Sequence, residues 1–146
     1  MRLLIYASKD FALTVKDLAR HCAYEVIGMV DDFNEGDGVL GTLEKVANIY
    51  PPSEYAMAIA IGYSNIPARW QAWRRVCAAG YSAPNLVHPR AYVADTATLG
   101  VGVMVMAGAV VDTRAKLGDL SVVWPGACVN HDVHVGDNCF ISPNAT

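Results

Sequence analysis

Residues 87–146 read VHPRAY VADTAT LGVGVM VMAGAV VDTRAK LGDLSV VWPGAC VNHDVH VGDNCF ISPNAT, a run of ten hexads without a slip. Every first position is a branched aliphatic, from Val87, Val93 and Leu99 through Leu117 and Val129 to Ile141. Every fifth is small or slim, as in Ala91, Ala97, Val103, Ser121, Cys139 and Ala145. A period of six does not fit the 3.6 residues of a helical turn. It fits short strands that bend after each hexad, each pointing one aliphatic inward with a small residue in the corner beside it. A second period of eighteen overlies the first: Gly100, Gly118 and Gly136 recur at that interval, and so do Ala107-Gly108, Pro125-Gly126 and Pro143-Asn144. Three hexads per coil predicts a three-sided parallel β-helix, with equivalent residues stacked about 4.8 Å apart along its axis. Cys139, in an inward slot usually held by alanine, reads as a buried packing residue.

The repeat leaves the residues before Val87 for a second unit, long enough to build a compact α/β core. The expected organisation is therefore a domain over 1–86 and a β-helix over 87–146. Arg2 to Tyr6 reads as a short buried strand, followed by a turn and a helix capped by Asp10 and running to about Cys22. Tyr24 to Val30 is a second strand ending in Asp31-Asp32, and Asn34 to Gly38 is a turn. Thr42 caps a short helix that stops before Pro51-Pro52. Tyr55 to Ile61 is a third, continuously apolar strand closed by Gly62, and a helix over 67–79 follows, stopped by Gly80. Strands alternating with helices predict a parallel sheet with crossover helices, a small Rossmann-like domain. Ligands of such sheets bind beyond the carboxyl ends of the strands. That edge gathers Ser8, Lys9 and Asp10, then Asp31 and Asp32, then Gly62 and Asn65.

Composition narrows the class of function. The net charge is −3 and the eleven Lys and Arg are scattered, which argues against a nucleic-acid footprint. Mean hydropathy is +0.25, but the uncharged stretch Thr96 to Val111 is interrupted by Gly100, Gly102 and Gly108. It also falls short of the roughly 20 residues of a membrane span. The N-terminus enters a strand directly, with no signal-peptide layout. The four cysteines show no metal or redox spacing, and no metal is called for.

No G-x-G-x-x-G follows the first strand, so a nicotinamide or flavin site loses its main support. Lys9 is placed either to neutralise a phosphate or simply as a solvated turn lysine. Asp31 or Asp32 stands where such folds hold a ribose hydroxyl, and equally where a turn aspartate is ordinary. In the repeat, Asn130-His131-Asp132 falls at a bend, pointing away from the apolar interior, one coil above Asp112-Thr113-Arg114. A carboxylate that holds one imidazole nitrogen as N–H leaves the other free to take a proton. By residue type alone, a histidine at a β-helix turn also serves as plain surface.

A Rossmann-like start, Ile61-Gly62-Tyr63-Ser64-Asn65, then Leu86-Val87-His88-Pro89-Arg90-Ala91 entering the hexads, then Val129-Asn130-His131-Asp132 together resemble one family. It is the bacterial nucleotide-sugar acetyltransferases that modify amino sugars for surface glycans, grouped with the sialic acid O-acetyltransferase type, and the similarity covers essentially the whole chain. The resemblance implies that the β-helix is left-handed, that acetyl-CoA is the co-substrate, and that the chain works in the cytoplasm as a homotrimer formed through the β-helix. It makes His131 the general base and Asp132 its partner, with a nucleotide-linked amino sugar as acceptor. Trp124 resembles a tryptophan of one branch, lining the acceptor pocket or lying on a trimer face. The same base would serve O-acetylation of a sialic-acid-type sugar. A third alternative is an inactive nucleotide-sugar-binding or assembly module. The glycine-rich loop usual in the family is replaced here by Tyr6 to Asp10. Relatives also continue for several more coils, so with about three coils the sequence reads as a truncated chain.

Overall fold

The computed structural model describes residues 1–146, which divide into two compact units, Met1–Pro84 and Asn85–Thr146. In the first, β1 (Arg2–Tyr6), β2 (Glu25–Val30), β3 (Val39–Gly41) and β4 (Tyr55–Ile59) form a parallel sheet in the order β3-β2-β1-β4. The helices are α1 (Asp10–His21), α2 (Leu43–Ile49) and α3 (Ile66–Ala78). Leu3, Leu4 and Ile5 of β1 are fully buried, as is Met57 of β4. A near-continuous apolar run is what a parallel strand covered on both faces requires. Helix α1 buries Ala12, Val15, Leu18 and Ala19, the three-and-four spacing of one apolar stripe.

Two local expectations need correction. Asp10 does not cap α1: Lys9 holds the N-cap position without a side-chain hydrogen bond, and Asp10 is the first helical residue. The chain leaves β1 through Ala7 at φ 99°, and this sharp turn starts the helix one residue sooner. Asp10 still favours the helix start, where a negative charge meets the positive end of the dipole. The second correction is β3, unpredicted because it has only three residues behind the turn at 34–38. The Met29 and Asp31 N–H groups donate to the Gly38 and Gly41 carbonyls at 2.8 and 3.0 Å, which extends the sheet by this edge strand. Thr42 does cap α2, its Oγ1 accepting from the Lys45 N–H at 3.4 Å.

The second unit is a left-handed parallel β-helix of ten two-residue strands. One face stacks β5 (Leu86–Val87), β8 (Met104–Val105), β11 (Val122–Val123) and β14 (Phe140–Ile141). The second stacks β6 (Tyr92–Val93), β9 (Val110–Val111) and β12 (Cys128–Val129), and the third β7 (Thr98–Leu99), β10 (Lys116–Leu117) and β13 (His134–Val135). Each residue pairs with the one eighteen positions on, as in Tyr92 with Val110 and Lys116 with His134. First-position Val105, Val111, Leu117, Val123 and Val129 form one buried cluster with fifth-position Val103, Ala109, Ala115 and Ala127. Cys139 departs from its expected role. It is only partly buried, and its Sγ donates to the Asp137 carbonyl at 3.4 Å.

The bend has a stereochemical signature at the fourth position of each hexad from Gly102 onward. Fourth positions from Gly102 to Asn144 all adopt positive φ, between 55° and 72°. Gly, Asn and Asp tolerate that conformation best, and they occupy six of these eight corners, with Arg114 and Leu120 the exceptions. The turned N–H groups tie each coil to the one before: Leu120 to the Val101 carbonyl at 2.8 Å, Asp132 to Thr113 at 3.0 Å and Asn138 to Asp119 at 2.7 Å. A second ladder runs along the corner after β7, β10 and β13. Asp119 Oδ1 accepts from the Val101 N–H, and Asp137 Oδ1 from the Asp119 N–H, both at 2.8 Å. No helix of the chain is long and apolar enough to cross a membrane.

Candidate functional site

The corner after β12 carries His131 and Asp132. In an extended strand, successive side chains point to opposite faces. At this corner Asp132 turns to φ 63°, and both side chains face outward together. His131 Nδ1 lies 2.8 Å from Asp132 Oδ2. When that bond is made the hydrogen sits on Nδ1, leaving the Nε2 lone pair free to accept a proton. The imidazole is open to solvent, with 69% of the side chain exposed.

The coil below supplies a third member, to which the residue pattern alone assigns no role. Arg114, eighteen residues before Asp132, approaches the carboxylate as a fork, Nε to Oδ1 at 2.7 Å and Nη2 to Oδ2 at 2.8 Å. The Arg114 hydrogen bonds foremost, then that of His131, hold the Asp132 carboxyl well below the usual carboxylate range. The same pairing raises the Arg114 guanidinium pKa. Asp132 is thus ionised wherever His131 can work as a base. Trp124 follows β11 and so stands at a different corner from His131. A single copy of the chain does not bring the two together.

In the first unit the carboxyl edge of the sheet is crowded with polar groups, mostly committed to one another. Ser8 Oγ donates to Asp31 Oδ2 at 2.5 Å, and Asp31 Oδ1 accepts the Phe33 and Asn34 N–H groups, each at 2.9 Å. Asp31 is nearly buried. Burial opposes its ionisation, but these hydrogen bonds together outweigh it and keep its pKa below the ordinary value. Asp32 accepts from the Tyr6 hydroxyl, from the Leu43 N–H at 2.8 Å and from Arg75 at 2.7 Å. Its pKa is lowered in the same way, burial opposing and the hydrogen bonds prevailing. Both aspartates therefore shape the loops of this edge with the oxygens that a ribose would need.

Lys9 and Asp10 are exposed on the same edge. Gly62 precedes a single 3-10 turn, Tyr63–Asn65. A Cβ there would meet Phe11 Cβ at 3.5 Å, an ordinary contact. Packing does not demand glycine at that position. Asn65 caps α3, its Oδ1 accepting from the Ala68 N–H at 3.1 Å. Asn65→Ala is expected to cost about 1 kcal/mol of unfolding free energy, the usual worth of such a cap, read as a lowered urea midpoint. Phe33, beside Asp32, is 87% exposed; an aromatic next to a turn gives no periodic signal in the sequence.

Comparison with known proteins fits both units. Residues 2–76 match the PglD N-terminal domain, and residues 114–146 match the bacterial transferase hexapeptide family (six repeats). The acetyltransferase domain of PglB from Neisseria gonorrhoeae FA1090 superposes with a TM-score of 0.86 at 31% identity, covering 97% of this chain and 71% of that one. The same domain in complex with acetyl coenzyme A gives 0.87 at 30% identity, over 97% and 70%. PerB from Caulobacter crescentus, in complex with CoA and GDP-perosamine, gives 0.86 at 28% identity, over 98% and 69%.

Proposed function

From the premise that this chain belongs to the hexapeptide-repeat acetyltransferases carrying a PglD-type N-terminal domain, we propose that it moves acetyl from acetyl-CoA to the amine of a nucleotide-linked amino sugar, with His131 as general base. The observation that carries this reading is the solvent-open imidazole whose Nδ1 faces Asp132 and whose Nε2 is left as an acceptor. As the sugar amine attacks the thioester carbonyl, the C–N bond forms and the amine must lose a proton. Nε2 takes it, and the CoA thiolate leaves when the tetrahedral intermediate collapses. Backbone N–H groups of the coils suit the developing oxyanion. Holding both substrates in one cleft removes much of the entropic part of the barrier.

The nucleotide half is assigned to the sheet edge of the first unit, where Lys9 offers a charge for phosphate and Phe33 a flat face for a base. Asp31 and Asp32 hold that edge in shape. On the β-helix, Tyr92 is 57% exposed and aligns with partly buried Val110 and Cys128 along the outer face of one sheet. This apolar strip supports assembly with further copies as a homotrimer, which would let Trp124 of one copy approach His131 of another.

The test is thiol release from acetyl-CoA by the full chain, against a panel of nucleotide-linked amino sugars that includes GDP-perosamine. Acceptor-dependent thiol release is expected. Thermal stabilisation by a nucleotide sugar, with none by acetyl-CoA and no thiol released, would instead mark a binding module.

A further inference from the structure

Asp132 has two partners on one carboxylate, and only one of them is the imidazole. The fork from Arg114 holds both carboxylate oxygens, and Oδ2 also meets His131 Nδ1 at 2.8 Å. Arg114 is itself held in place. Its backbone sits at φ 59°, and its N–H donates to Thr96 Oγ1 on the coil below at 3.1 Å. We propose that Arg114 is a positioning residue for the transfer, clamping Asp132 so that the carboxylate keeps His131 in the tautomer with Nε2 free. The proposal rests on His131 as the base and adds a residue that acts through Asp132 without touching substrate.

Asp132 is half exposed, so without the fork it can rotate into solvent and leave the imidazole unoriented. Guanidinium and carboxylate match as two parallel hydrogen bonds, whereas an ammonium offers only a point charge. Lysine at 114 would preserve the charge and lose the geometry. The other ionisable groups around this corner are Asp95 and Asp112 on the coils below, Cys128 on β12, and Lys116 and His134 on the adjoining face. None has a hydrogen bond to His131 or Asp132.

The experiment uses the full chain labelled with 15N-histidine, comparing wild type, Arg114→Gln and Arg114→Lys by long-range 1H–15N spectra in the same alkaline buffer. In the wild type the hydrogen should reside on Nδ1. In Arg114→Gln the population should move towards the Nε2–H form, and in Arg114→Lys part of the way. With acetyl-CoA and GDP-perosamine, kcat of Arg114→Gln should fall about tenfold with KM for acetyl-CoA unchanged. Wild-type tautomer populations in both folded variants would overturn the clamp. Retained activity in His131→Ala would overturn the base while the spectra still judge the clamp, so the two failures are separable.

Discussion

His131→Ala is expected to lower turnover by about 10²–10⁴-fold, the usual worth of a positioned general base, equivalent to roughly 3–5.5 kcal/mol of barrier. The side chain is mostly exposed and outside the buried cluster of the β-helix. Unfolding free energy should therefore change by no more than about 0.5 kcal/mol, and the loss should appear in kcat. Full activity in the variant would remove the proposed mechanism.

Gly118→Ala is expected to produce the largest loss of stability, about 3 kcal/mol, the upper end of ordinary overpacking. A Cβ at this position would lie 2.6 Å from Asp137 N and 2.6 Å from Gly136 C. These are backbone atoms of the next coil, and they cannot swing aside as a side chain can. Relieving the clash means parting two coils, which would also stretch the Asp137 hydrogen bond to the Asp119 N–H. Gly62→Ala is the control, because a Cβ there meets only the Phe11 side chain, nearest at 3.5 Å, an ordinary contact. Urea unfolding of the two variants side by side should separate them clearly. Equal midpoints would show that the coils yield more readily than their backbone contacts imply.

The architecture of the second unit was legible because its physics is periodic. A buried aliphatic every six residues and a coil every eighteen leave a regular imprint, and the strand registers follow it from Leu86 to Ile141. The first unit was legible as alternating strands and helices. It hid β3, whose three residues are too few to show a pattern. The helix start at Lys9 was hidden too, since the positive φ of Ala7 follows from the path of the chain and not from its residue type. At the candidate site, His131 and Asp132 stood out as neighbours, but adjacency alone does not bring two side chains to one side. That required the left-handed corner. Arg114 was available in the eighteen-residue spacing, because fourth positions of successive coils stack. Its fork onto Asp132 depended on reading the corner conformation, which a sequence shows only through the preference for Gly, Asn and Asp. The commitments of Asp31 and Asp32 to Ser8, Tyr6, Arg75 and the backbone were not legible at all. They arise from residues far apart along the chain that meet only after folding.

Every ladder bond in the β-helix joins residues one coil apart, so the chain closes a loop of the same size each time it adds a turn. The entropic toll of closure is thus constant per turn and grows only slowly with loop size. Such a solenoid can start from any adjacent pair of turns and zip outward in both directions. Its tolerance to length change follows from the same geometry. Extra residues at a corner can bulge outward and leave the stack intact. Losing one residue within a strand would exchange inward for outward side chains in that strand, or unhitch its turn from its neighbours.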